Sequence, residues 1–151
     1  MKTILVLERE TPLVILLRRV FKRCKVVRAQ TAEQALRRFL ENDRKIDLFV
    51  SEVFLPTSSG IQVALVLRVE NADLPVILMG GSDPHLLSEQ DAADLERLRS
   101  DSTVLLPQSV ENEVLLNAVE RLTDIPQKHQ MVASSPGRPP STSTARSGMN
   151  R

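Results

Sequence analysis

The sequence predicts an α/β domain: a five-stranded, doubly wound and mostly parallel sheet with helices on both faces. Three observations predict it. Short runs rich in Val, Ile and Leu alternate with longer amphipathic stretches five times between residues 1 and 124. The apolar runs are continuous rather than alternating, as expected of strands covered on both faces. The breaks between them carry Pro, Gly, Ser or Thr where helices should start or strands should stop.

In chain order, Thr3–Leu7 is the first strand, ended by Glu8-Arg9-Glu10. Pro12 suits the first turn of a helix, which the apolar pattern carries to about Arg23. A short strand is predicted over Lys25–Arg28. Thr31 and Gln34 have capping-box spacing, and Ala32, Ala35, Leu36, Phe39 and Leu40 then recur at helical period. Asp47–Glu52 is the third strand, followed by a loop through Pro56 and Gly60 and a helix over Ile61–Asn71. Leu74–Met79 is the fourth strand, stopped by Gly80-Gly81, which reads as a tight turn. Asp83-Pro84 opens a helix predicted to reach about Arg99, and Thr103–Leu106 is the fifth strand. In the last helix, Val110, Val114, Leu115, Ala118, Val119 and Leu122 form the predicted core-facing stripe. Right-handed crossovers between such units give a flavodoxin-like (βα)5 sheet with strand order 2-1-3-4-5. That order makes the first and third strands neighbours, about 4.8 Å apart. Glu8, Arg9 and Glu52, which end those two strands, should therefore share one pocket at the carboxyl edge of the sheet.

Composition narrows the function. Aromatic residues are 3% of the chain, with neither Trp nor Tyr, so stacking platforms for single-stranded nucleic acid are hard to build. One Cys excludes an internal disulfide, and no grouping of Cys and His suggests zinc. The first apolar run is too short for a signal peptide, and no stretch reaches membrane-span length, so a cytoplasmic location is expected. The formal net charge is +1. Residues 125–151 contribute Lys128, Arg138, Arg146 and Arg151 and no acid, which leaves sixteen basic and nineteen acidic residues in the body. This Pro/Ser/Thr-rich basic segment is expected to be a disordered tail, and the ordered domain is expected over 1–124. Ser51 precedes Glu52 and should face the other side of its strand, and His85 reads as a surface residue. The sequence shows no Ser–His–acid grouping and no phosphate-binding Gly-rich loop, so no catalytic residue is assigned and the chain is read as a non-enzyme.

Two segments then suggest a family. Ile4-Leu-Val-Leu-Glu-Arg-Glu-Thr11 resembles the first strand of response-regulator receiver domains, which ends in paired acids. Asp47-Leu-Phe-Val-Ser-Glu-Val-Phe-Leu-Pro-Thr-Ser-Ser-Gly60 resembles the strand that carries their phosphoacceptor, followed by Met-Pro and Gly. Pro75–Met79 and Val104–Pro107 resemble their fourth and fifth strands. The resemblance covers Met1 to about Thr123 and implies a two-component or phosphorelay signalling module.

The same resemblance implies that the usual chemistry is degraded. Glu52 stands at the phosphoacceptor Asp, and Glu8 and Arg9 at the paired acids that bind Mg²⁺. Gly80 stands at the Ser or Thr that contacts the phosphoryl group, Pro107 at the phosphate-pairing Lys, and Val104 at the aromatic switch residue. Mg²⁺ demands near-octahedral oxygen ligation, and Arg9 brings a positive charge in place of a ligand. Glu52 displaces the carboxylate by about 1.5 Å, which an in-line displacement tolerates badly. Gly80 offers no hydroxyl and Pro107 no cation to a phosphoryl group. The implied protein is a pseudo-receiver with no cofactor, its Mg²⁺ binding lost or weak. It would act by contact with signalling proteins over Asp91–Leu98 and Val110–Leu122, where receivers commonly meet partners. No direct nucleic-acid or membrane contact and no DNA-binding output domain are expected, and a homodimer is compatible with the reading. For Glu52 two roles stand open, a fixed imitation of the phosphorylated state or a structural ion pair with Arg9. The adjoining cation favours the second, and a direct Arg9–Glu52 ion pair without a metal is predicted. The alternative readings are a phosphorelay receiver with atypical chemistry and a small flavodoxin-like ligand-binding protein.

Overall fold

A computed structural model describes residues 1–127. Most of the tail predicted over 125–151 lies outside them. The element order is β1 (Lys2–Leu7), α1 (Pro12–Val20), β2 (Cys24–Ala29), α2 (Ala32–Glu41), β3 (Leu48–Glu52), α3 (Gly60–Glu70), β4 (Val76–Met79), α4 (Glu89–Leu98), β5 (Thr103–Leu106) and α5 (Asn112–Thr123). All strand pairings are parallel and the order is β2-β1-β3-β4-β5, as predicted.

The continuous apolar runs have the expected cause. Along β1, Ile4 and Val6 join a core with Leu17 of α1 and Leu115, Leu116 and Val119 of α5, while Leu5 and Leu7 join a second core. That second core takes Phe39 of α2, Ile61, Ala64 and Leu67 of α3, and Leu95 and Leu98 of α4. Successive residues of one strand thus fill opposite cores. Each helix covers the sheet with one apolar stripe. The capping prediction at Thr31 holds, its hydroxyl accepting the N–H of Gln34 at 3.1 Å.

Three local expectations are corrected. The first helix ends at Val20 rather than near Arg23, because Phe21 leaves helical backbone (φ −107°, ψ 72°) and buries its ring in the core. The helix predicted over Asp83–Arg99 is broken in two. Asp83 caps a single 3₁₀ turn, Pro84–Leu86, by accepting the His85 N–H, and Ser88 separately caps α4 by accepting the Asp91 N–H at 3.0 Å. Two competing caps five residues apart leave Leu87 extended between them. The last stripe is also shifted: Val110 precedes α5, and Val114 is 47% exposed, with Leu116 in the core instead. Past α5, Asp124 takes a left-handed C-cap conformation (φ 61°), and Ile125 and Gln127 are buried. The described fold therefore runs a few residues beyond the predicted boundary at 124.

Candidate functional site

Parallel strands ending together bring the predicted residues to one edge. Leu7 pairs with Ser51, so Glu8 and Arg9 emerge beside Glu52, and Glu52 pairs with Met79, which places Gly80 next to it. The Gly80 N–H donates to Leu106 O at 2.8 Å, so Pro107 follows at the same edge. Val104 sits lower in β5, opposite Ile77 and packed on the α1–α5 core.

Glu8 is buried, at 6% exposure, and its carboxylate faces α1. Oε1 accepts the Leu13 N–H at 3.2 Å and Oε2 accepts the Val14 N–H at 2.8 Å. The cause lies in the helix start. Thr11 occupies the N-cap position without a side-chain cap hydrogen bond, and Pro12 has no N–H to offer. The next two amides are orphans at the positive end of the helix, and Glu8 satisfies both. Burial pushes the Glu8 carboxyl above its ordinary value, against the pull of the Val14 and Leu13 amides, and the Glu52 charge adds to the rise.

Glu52 is half-buried, and its Oε1 accepts the backbone N–H of Arg9 at 2.9 Å. The predicted Arg9–Glu52 ion pair is thus corrected. Among the described residues the pairing is made by the Arg9 amide, and the guanidinium is on the exposed side of the loop. Geometry explains this, because the β1–α1 loop is pinned from β2. Arg28 donates to the carbonyls of Arg9 (2.9 Å) and Glu10 (3.3 Å), and Gln30 donates to that of Arg9 (3.2 Å). With the loop held in this way, the Arg9 N–H lies within reach of Glu52 on β3.

Gly80 has φ +102°, and a Cβ there would meet the Phe54 ring at 3.3 Å. The position is therefore closed to a larger residue by both backbone conformation and Phe54. Gly60 is tighter still, since a Cβ would overlap the Glu52 carbonyl oxygen and Ser51 Oγ. Ser51 is fully buried and donates its hydroxyl to that same carbonyl at 2.7 Å, on the face away from the pocket as predicted. His85 is exposed, as predicted. A groove of about 670 Å³ opens beside Glu8, between α1 and the start of α5, floored by Leu13, Leu16, Met79 and Leu115. Glu52 does not line it. Among the described residues, no three His, Cys, Asp or Glu side chains are grouped to hold a metal.

Sequence reasoning found the positions of Glu8 and Glu52 but missed what occupies them. The orphan amides after a Pro at the first helical position were the available signal. It also missed Phe54, which no local pattern marks.

No protein-family model matches the chain, and no curated protein matches it. Solved structures do. A response-regulator receiver domain protein from Clostridium thermocellum is 20% identical, with a TM-score of 0.62 over 87% of this chain and 99% of the other. A CheY-like receiver domain protein from Methanospirillum hungatei is 18% identical, with a TM-score of 0.64 over 82% and 94%. A response regulator from Thermotoga maritima, solved in complex with Mg²⁺ and beryllium fluoride, is 26% identical, with a TM-score of 0.59 over 81% and 99%. The chain has the receiver fold. Within that fold, Glu8, Arg9, Glu52 and Gly80 occupy the carboxyl edge of the sheet around the β1–β3 neighbours. No helix among the described residues is long and apolar enough to cross a membrane.

Proposed function

We propose that this chain is a receiver-like module of two-component or phosphorelay signalling that is not phosphorylated in the conventional way and works by protein–protein contact. The observation that carries the proposal is the state of the two carboxylates. Both oxygens of Glu8 and one of Glu52 already accept backbone N–H groups of the protein's own loop and helix. Mg²⁺ keeps several waters but needs its protein carboxylates in near-ideal octahedral geometry. Here the carboxylate of Glu8 is turned to the start of α1 and Arg9 brings a cation where a second acid would stand, so the residues do not fit the ion, and Mg²⁺ binding is lost or weak. Gly80 and Pro107 supply neither hydroxyl nor cation to a phosphoryl group, and Phe54 fills the space beside Gly80. Glu52 is then a fixed structural charge that fastens the β1–α1 loop to β3, in place of a phosphoacceptor.

Partner contact falls to the helices on the β5 side, over Asp91–Leu98 and Val110–Leu122. Val114, expected in the core, is 47% exposed in that region and supplies an apolar contact there. Mixing the chain with acetyl phosphate and Mg²⁺, followed by intact-mass measurement, tests the proposal. No added phosphoryl group is expected, and Mg²⁺ titration should release no binding heat. A Mg²⁺-dependent gain of one phosphoryl group mapping to Glu52 would establish an atypical phosphorelay receiver instead.

A further inference from the structure

We infer that this chain associates head to tail with further copies of itself, the basic β2 edge of one molecule meeting the acidic β5 edge of the next. The charge in the sequence is strongly segregated. Residues 18–28 hold six Lys or Arg and no acid, while residues 83–101 hold six Asp or Glu and two Arg. Over longer stretches, residues 1–45 have twelve basic and five acidic side chains, a net of +7. Residues 46–127 have four basic and fourteen acidic, a net of −10.

Topology turns this sequence asymmetry into a spatial one. β2 and β5 are the two outer strands, separated by four strand spacings, or roughly 19 Å. That exceeds the Debye length of about 8 Å at physiological ionic strength, so the edges do not neutralise each other through solvent. On the basic edge, Lys22 and Arg23 in the turn before β2 are exposed, with neither ion pair nor hydrogen bond among the described residues. Lys25 is exposed too, bonded only to the neutral Asn42 amide oxygen. On the acidic edge, Glu89 at the start of α4 and Asp101 beyond its end are exposed, and Leu86, in the turn before α4, is 58% exposed, an apolar contact for an approaching surface. The ion pairs Arg97–Asp94 and Arg99–Glu96 are internal to α4 and its end, and leave that edge net negative.

The occupant argued for is a second copy, because one chain carries both surfaces and they are opposite in sign. Different patches meeting in this way form a heterologous contact, which propagates unless the rotation closes a ring. Electrostatic steering makes such contacts fast and strongly dependent on salt.

Sedimentation of the full chain tests this over a roughly hundredfold concentration range, at about 25 mM and about 300 mM NaCl. In low salt the weight-average mass should rise with concentration beyond that of a dimer, and association should weaken at least about tenfold in high salt. The basic-edge triple variant Lys22→Glu/Lys25→Glu/Arg23→Glu should remain monomeric alone, as should the acidic-edge variant Glu89→Lys/Glu96→Lys/Asp101→Lys. An equimolar mixture of the two should associate again, which a folding defect in either could not produce. A chain monomeric at every concentration in low salt would overturn the inference, as would a dimer insensitive to both variants. Retention of monomer together with salt-dependent binding to duplex DNA would overturn it as well, and assign the basic edge to nucleic acid.

Discussion

At the scale of single residues, the carboxylate of Glu8 and the missing side chain of Gly60 carry the most weight. Glu8→Ala removes the acceptor for two helix-start amides, and a loss of about 1–3 kcal/mol is expected in urea unfolding. Its titration gives a sign as well. The folded carboxyl binds its proton more readily than the unfolded one, whose ordinary value is 4.5. Between that value and the raised folded one, the native state holds more protons, so this residue's contribution to stability falls as pH rises through that window. Glu8→Gln should flatten the slope there, measured as the urea midpoint against pH, while keeping one amide acceptor. Gly60→Ala should cost about 3 kcal/mol or more in the same assay, since a methyl group must displace the Glu52 carbonyl or the Ser51 hydroxyl. A variant of near wild-type stability would show that the β3–α3 connection relaxes freely.

At the scale of elements, Arg68 binds the lower half of the domain together. From α3 it donates to the Leu74 carbonyl through Nε (3.0 Å) and Nη2 (2.9 Å), to the Leu98 carbonyl (2.8 Å) and to Thr103 Oγ1 (2.8 Å). Leu98 is the last residue of α4, so the guanidinium also meets the negative end of that helix. Burial lowers the proton affinity of Arg68, with Asp73 opposing it. Arg68→Met leaves these acceptors to water or to nothing. A destabilisation of about 2–3 kcal/mol is expected, with faster amide exchange at the end of α4 and start of β5. Exchange that changes uniformly, or not at all, would remove Arg68 from this role. None of this was legible in the sequence, where Arg68 is one charge at the end of an apolar helix. The strands were legible, because Ile4 to Leu7 and Leu48 to Val50 are buried on both faces and so read as unbroken apolar runs. Positions set by competition between local caps were less so. Asp83 and Ser88 divide a stretch whose periodicity suggests one helix, and the start of α5 at Asn112 turns Val114 outward. The site was legible as a set of positions, since topology alone makes β1 and β3 neighbours. What they bind was less so: the amides left open after Pro12 hinted at the role of Glu8, but that of the Arg9 N–H depends on the Arg28 and Gln30 contacts across the loop.

At the scale of the molecule, the sheet separates two cores that share only its strands. Ile4 lies in the α1–α5 core and Ile61 in the α2–α4 core. Ile4→Val and Ile61→Val should each cost about 0.5–1.5 kcal/mol, and the double variant should match their total to within about 0.5 kcal/mol. A larger departure in denaturant midpoints would mean that the sheet transmits packing strain between its faces.

The engagement of Glu8 has an implication for building a conventional phosphoacceptor site into this fold. Exchanging Glu52 and Pro107 for Asp and Lys would supply an acceptor and a cation. Phe54 and the positive φ of Gly80, however, leave no room there for a hydroxyl-bearing side chain, and the carboxylate of Glu8 would stay committed to α1. Arg9→Asp would return a second acid to the loop without freeing the first. A further obstacle lies outside the pocket, at Thr11, whose side chain leaves the helix start uncapped. Only when another residue takes over that duty, with position 11 moved from its present backbone (φ −117°, ψ −4°) to the extended one that a capping side chain needs, can Glu8 be released to a cation. In this chain a cation site that includes Glu8 would begin with a helix cap.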